Sequence, residues 1–160
     1  MSYCPSVARQ TVKLLLVDPD GQVLLVNGRD PATGRDHWYP VGGGVDPGES
    51  IEEAAAREAW EETGLDGLSG GVPVWVRDAI YTFAGQSVEV HEDWLHCSVS
   101  HFDPAPARLT DSESRSVLGF RWWTVEELRT TDESVFPPDL GDRLAGLEAV
   151  GPPATPVDIG

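Results

Sequence analysis

The sequence predicts an α+β sandwich, on three observations. Short runs of alternating apolar and polar residues are separated by turn-forming residues, which reads as a set of hairpins. One segment, residues 50–64, carries helical periodicity with a capping signal at each end. The order is strands, helix, strands, helix, and hairpins pair antiparallel, so a mixed sandwich fits better than a doubly wound parallel sheet. The 160 residues are enough for one ordinary domain, placed at 1–150, with a proline-rich tail at 151–160.

Residues 10–18 read as the first strand, because Val12, Leu14 and Leu16 alternate with Thr11, Lys13 and Leu15. Asp18-Pro19-Asp20-Gly21 is a turn, and 22–26 is the return strand. The aspartates of that turn lack the later ligands and closing glutamate of a calcium loop. A polar loop at 28–36 leads to His37-Trp38-Tyr39-Pro40-Val41 and then to three glycines at 42–44. Residues 72–83 and 88–102 read as long antiparallel strands joined near Gly85. A loop at 103–116 precedes a short strand at 119–123. A helical turn at 124–129 opens with a capping pair, Thr124 and Glu127. A last helix is expected at 138–150, and the tail, with three prolines, is expected to be loosely attached.

Composition bounds the function. Apolar residues make up 40% of the chain, enough for a core, but no run approaches the roughly 20 residues of a membrane helix. Leu14-Leu15-Leu16-Val17 is too short for a signal-peptide core. A cytoplasmic protein is the expectation. Eleven basic against 27 acidic residues give a net charge of −16, which disfavours long nucleic acids. A small anionic substrate stays open if a metal cation supplies local positive charge. Cys4 and Cys97 have no metal-binding spacing and read as free thiols.

The 50–64 helix carries the chemistry. Ser50 is a good N-cap, Glu53 completes a capping box, and Gly64 suits the C′ position. Ala55, Ala56 and Ala59 lie towards one side, which can approach a sheet closely. On the other side Glu58, Glu61 and Glu62 fall within one arc of about 100°. Three carboxylates at that spacing repel one another, and Arg57, one turn from Glu61, cannot neutralise all three. Taken alone they read as a solvated acidic face. The preceding glycines, the Asp46-Pro47-Gly48 turn and Glu49 shift the reading to a divalent-cation site, with Mg²⁺ matching carboxylate oxygens and substrate phosphate.

Gly43, Glu49, Arg57-Glu58-Ala59, Glu61-Glu62 and Gly64-Leu65, at these spacings, resemble the Nudix box at every defined position. Ala59 is smaller than the aliphatic residue usual there. The flanks from about Val12 to Leu128 are similar too, with Trp38 to Gly44 as the approach loop and Phe120-Arg121-Trp122-Trp123 as the late strand.

The resemblance implies an α/β/α sandwich around a mixed sheet. It also implies hydrolysis of a nucleoside diphosphate linked to another moiety, such as a nucleotide, a nucleotide sugar or a dinucleoside polyphosphate. By that resemblance Glu58, Glu61 and Glu62, with the Gly43 carbonyl, hold Mg²⁺ or Mn²⁺. Arg57 orients the glutamates and Glu49 is a structural partner. The general base is Glu113, with Asp111 nearby, or Glu62. Tyr81, sixteen residues past Leu65, is similar to a tyrosine of diadenosine-polyphosphate hydrolases. Arg29, Arg35, Trp38 and Gly44 complete the expected substrate contacts.

The alternative is a nucleotide or ADP-ribose binding module of the same fold without turnover. The intact glutamate set argues against it, because such modules often lose those residues. A third reading makes the acidic helix a mere surface. A homodimer is compatible with all of these. Other signals carry less. Residues 67–71 match the letters of a nucleophile elbow, but a helix precedes them and a strand follows. His91, His96 and His101 recur every five residues, so His96 faces away from the other two and no single zinc site forms.

Overall fold

The computed structural model describes residues 8–83 and 85–160. The elements are β1 (Arg9–Val17), β2 (Val23–Arg29), β3 (Asp36–Gly44), α1 (Ile51–Thr63), β4 (Val72–Phe83), β5 (Gln86–Ser98), α2 (Asp111–Ser116), β6 (Val117–Trp123), α3 (Val125–Thr130), α4 (Leu140–Val150) and β7 (Val157–Asp158). Seven strands form one sheet in the order β6-β2-β3-β1-β5-β4-β7. β1 runs parallel to β5 and β7 parallel to β4, while the other neighbours are antiparallel.

Helix α1 packs on one face of the sheet, against Val12, Leu14, Leu16, Val41 and Leu95. Helices α3 and α4 cover the other, against Leu15, Val23, Leu25, Trp94 and Trp123. The chain is therefore the expected α/β/α sandwich. Coverage of both faces explains β1. Leu14, Leu15 and Leu16 are all 0% exposed, so consecutive apolar residues are satisfied where a one-sided sheet would leave one in water.

Helix α1 forms as its caps dictate. The Ser50 hydroxyl accepts from Glu53 N at 3.1 Å, and the Glu53 carboxylate accepts from Ser50 N at 3.0 Å. Gly64, at φ 78°, ends the helix in the left-handed region. Its buried alanines are Ala54, Ala55 and Ala59, with Ala56 only half-buried, so the packed stripe is rotated by about 70° away from Ala56 towards Ala54.

Several expected boundaries are corrected. The three glycines are not a loop: Gly42, Gly43 and Gly44 pair with Lys13, Val12 and Thr11. Gly42, at φ 155°, needs to be glycine, because a Cβ there would drive into the Val12 carbonyl. The 28–36 loop shrinks because β2 continues to Arg29, which pairs with Asp36. The 103–116 loop contains α2, nucleated by a Thr110–Glu113 capping box. β5 stops at Ser98, which leaves His101 beyond the strand. The tail is not loose. Val157 and Asp158 pair with Trp75 and Val76, and Ile159 packs against the α4 side of the core. No helix among the described residues is long and apolar enough to cross a membrane. Cys97 is a free, buried thiol, its pKa pushed up to about 11 by burial, while Cys4 lies outside the described residues.

The β1–β2 turn is fixed by Asp18. Its fully buried carboxylate accepts from Asp20 N at 3.0 Å and Gln22 N at 2.9 Å, and pairs with His101 Nδ1 at 2.8 Å. Burial acts to raise the Asp18 pKa, but the His101 bond and the backbone donors outweigh it and hold the group below its ordinary value. A depressed folded pKa means stabilisation present above the unfolded value and lost as pH falls through the folded one. Asp18→Ala is therefore expected to cost about 1–3 kcal/mol at neutral pH. That cost should shrink once the pH drops below about 4. Urea melts of both proteins at the two pH values check this, and a cost independent of pH would contradict it.

Candidate active site

The site is built where α1 leans on the end of β3. The Asp46-Pro47-Gly48 turn closes with Glu49 N donating to Asp46 O at 3.0 Å, and it presents Glu49 to the helix. Arg57 then organises what surrounds it. Its Nε donates to Glu49 Oε2 at 2.8 Å and its Nη2 to Glu49 Oε1 at 2.9 Å, a two-pronged grip. Nη2 also donates to the Gly44 carbonyl at 2.8 Å. Nη1 donates to Glu58 Oε1 at 2.9 Å and to Glu61 Oε2 at 3.1 Å. The guanidinium bond pulls the Glu49 pKa down to about 2, and in return Glu49 foremost raises that of Arg57.

The glutamates differ in their surroundings. Glu58 is buried against the β3 backbone, and a Cβ on Gly43 would lie 2.5 Å from Glu58 Oε1. Burial raises the Glu58 pKa against the pull of Arg57, and repulsion from Glu61 and Glu113 adds to the rise. Glu62 turns to the other side of Gly42, whose N–H donates to its Oε2 at 3.0 Å. Burial pushes Glu62 well above the usual carboxylate range, and the negative charges of Glu58 and Glu113 push the same way.

Beside Glu62 opens a cavity of about 620 Å³. Its walls include Glu62, Glu113, Tyr39, Tyr81, Lys13 and Phe136. Tyr39 is half-buried, and burial followed by the charges of Glu62 and Glu113 keeps its phenol protonated. The Tyr81 hydroxyl donates to Glu92 Oε2 at 2.5 Å, and Glu92, 0% exposed, also accepts from Trp94 Nε1 at 3.2 Å. Tyr81 packs edge-on to Phe136, with ring centroids 5.3 Å apart.

Among the described residues no three His, Cys, Asp or Glu side chains stand close enough, as placed, to hold an ion. The donor set nevertheless fits a hard divalent cation. A positive group, Arg57 Nη1, already bridges Glu58 and Glu61, and Glu58 and Glu62 are pushed towards protonation, first by burial and then by the negative charge of their neighbours, which a cation would relieve.

The structure thus brings Arg57, Glu58, Glu61 and Gly43 together and places Glu62, Glu113 and Tyr81 on the cavity. Glu113 sits in α2 rather than in a loop, with Oε1 accepting from Thr110 N at 3.0 Å. Arg29 lines the cavity but is gripped by Asp36 at 2.7 Å. Arg35 is exposed and away from the cavity walls. Trp38 is not on the cavity either. It packs edge-on against Trp123 on the α3–α4 side, with Nε1 donating to Glu133 at 3.2 Å. Gly44 has its carbonyl taken by Arg57. Among the cavity residues not singled out from the sequence are Arg9, Lys13, Tyr39 and Phe136. A lysine inside a strand buried on both faces is a readable signal for the second. Phe136 has none, because its place in the α3–α4 connection is set by its N–H bond to the Trp38 carbonyl at 2.9 Å.

Comparison with known proteins identifies the family and the fold. A family profile described as NUDIX domain matches residues 7–141. The nucleoside triphosphatase NudI of Salmonella heidelberg (strain SL476) is 33% identical over 134 residues, covering 79% of this chain and 90% of its own length. The MutT protein from Methanosarcina mazei Go1 superposes with a TM-score of 0.64 at 20% identity, over 91% of this chain and 99% of its own. The NUDIX domain of Shewanella oneidensis NrtR, solved with ADP ribose, gives 0.65 at 19% identity, over 92% and 94%. These two structures establish the fold, and members of the family typically use a divalent metal. With box, sandwich and profile in agreement, the chain belongs to the NUDIX family and is a pyrophosphohydrolase acting on phosphoanhydride bonds.

Proposed function

We propose that this enzyme hydrolyses a nucleoside triphosphate or a related nucleoside diphosphate derivative at a phosphoanhydride bond. Glu58, Glu61 and Glu62, with the Gly43 carbonyl, would hold Mg²⁺ or Mn²⁺. The observation that carries the reading is the α1 carboxylate set, with Glu58 and Glu61 held by Arg57 and Glu62 on the wall of an aromatic-lined cavity. The relationship to a nucleoside triphosphatase over most of both chains supports the substrate class. When bound, the cation neutralises phosphate charge and activates water.

The chain's own residues do the rest. Arg57 holds Glu58 and Glu61 to one side and is itself locked by Glu49. Tyr39, Tyr81 and Phe136 offer apolar surface to a base or sugar and exclude water. Glu113 takes the proton from the attacking water, as a cavity acid outside the proposed ligand set. Glu62 shares the cavity and is the competing base.

The test is a panel of nucleoside triphosphates and nucleotide sugars with and without Mg²⁺, followed by phosphate and pyrophosphate release. Magnesium-dependent turnover supports the reading. Binding without turnover would instead favour a sensor, a possibility raised by the structural likeness to an NrtR domain solved with ADP ribose.

A further inference from the structure

In a chain with 27 acidic residues, most half-buried arginines are occupied by carboxylates. Arg57 pairs with Glu49 at 2.8 Å, Arg143 with Asp139 at 2.8 Å, and Arg121 with Glu127. Lys13 is different. It sits in the middle of the central strand, half-buried, with its side chain on the cavity wall. Among the described residues it makes no salt bridge; its charge acts on Glu62, which shares the cavity, and its Nζ lies 5.8 Å from the centroid of the Tyr81 ring. That is the outer limit of a cation–π contact. Arg9, on the same face of β1, also lines the cavity without an ion pair among the described residues and lies over Gly44. Thr11 lies between them on that face.

Position gives these cations a task. Lys13 pairs across the strands with Gly42, whose N–H holds Glu62. The Lys13 backbone is thus one strand spacing, about 4.8 Å, from the backbone that anchors Glu62, one of the proposed metal ligands, and both side chains line the same cavity. A half-buried ammonium with no carboxylate in salt-bridge contact is only partly compensated, and an anionic ligand can complete its neutralisation. We propose that Lys13 and Arg9 form a second anion site, on the β1 wall of the cavity, which binds the phosphate of the substrate remote from the metal. The enzyme then favours compounds with three or more contiguous phosphates over nucleotide sugars, whose second moiety offers Lys13 hydroxyls instead of charge. This rests on the function proposed above and narrows its substrate class.

The experiment uses Lys13→Met and Arg9→Gln in the full chain. Arg9 lies on the exposed rim, so its variant keeps the test open if Lys13→Met does not fold. The first readout is calorimetric binding of inorganic tripolyphosphate without metal. The second is KM and kcat, with Mg²⁺, for a nucleoside triphosphate and for a nucleotide sugar. Expected are a loss of tripolyphosphate affinity and a rise in triphosphate KM, each about 10–100-fold for Lys13→Met and smaller for Arg9→Gln. The triphosphate kcat and the nucleotide-sugar KM should change little. An equal loss on both substrates, a fall confined to kcat, or no change would overturn the inference while wild-type turnover leaves the proposed function standing. Tripolyphosphate binding that depends on Lys13 in a protein that turns over neither substrate would sustain the anion site and remove the proposed function.

Discussion

Glu61→Gln is expected to lower kcat by about 10²–10³-fold while the protein keeps its fold and melting temperature to within a few degrees. Gln preserves the shape of the side chain and an oxygen for Arg57 Nη1, which Glu61 now contacts at 3.1 Å. What it removes is one negative charge from the set proposed to hold the cation. Glu61 is half-buried and on the helix surface, so little packing is lost. Steady-state phosphate release and a thermal melt on the same sample check both halves. Unchanged turnover would remove Glu61 from the ligand set.

Arg57→Met should act mainly on stability. The guanidinium makes five hydrogen bonds, to Glu49, Glu58, Glu61 and the Gly44 carbonyl. Met fills the stem but leaves Glu49, a half-buried carboxylate, and Glu58, a buried one, without their cation. Stranding partly buried charge in this way costs about 3 kcal/mol, or on the order of 10 °C in melting temperature for a chain this size. The acid side of the stability curve adds a second signature. The Glu49 pKa, near 2 in the folded protein, lies below its unfolded value, so its stabilisation is present above that value and disappears as pH falls towards 2. In the Met variant that dependence should shrink to what the Asp46 N–H bond to Glu49 still holds. A variant as stable as the parent at neutral pH would show that the Arg57 web is decoration.

Helix α1 was legible because its signals are local. Ser50, Glu53, Gly64 and the run of alanines act within a few residues of one another, and the observed capping bonds are the ones their spacing implies. The Thr124–Glu127 box was readable for the same reason. The Thr110–Glu113 box has the same form but lay inside a polar stretch with no apolar stripe after it, so it read as loop. Non-local pairings were not legible. Nothing in 151–160 announces that Val157 will meet Trp75, and three glycines in a row mimic a loop when the strand beside them supplies the hydrogen bonds.

The site divided in the same way. Arg57, Glu58 and Glu61 follow from helical spacing. Trp38 is not a cavity residue. Tyr39, one residue on, faces the opposite side of β3 and takes the cavity, while Trp38 joins Trp123. Lys13 had a physical signal, a charge in a strand covered on both faces. Phe136 depended on a connection whose course only the folded chain defines.

The central claim is that the α1 glutamates form a cation site. Titrating Mn²⁺ into the protein and following the free-ion signal by electron paramagnetic resonance tests it without any substrate. The wild-type chain should deplete the free signal, and Glu61→Gln, equally folded, should leave most of it. An undiminished signal with wild-type protein, or equal depletion by both, would contradict the account.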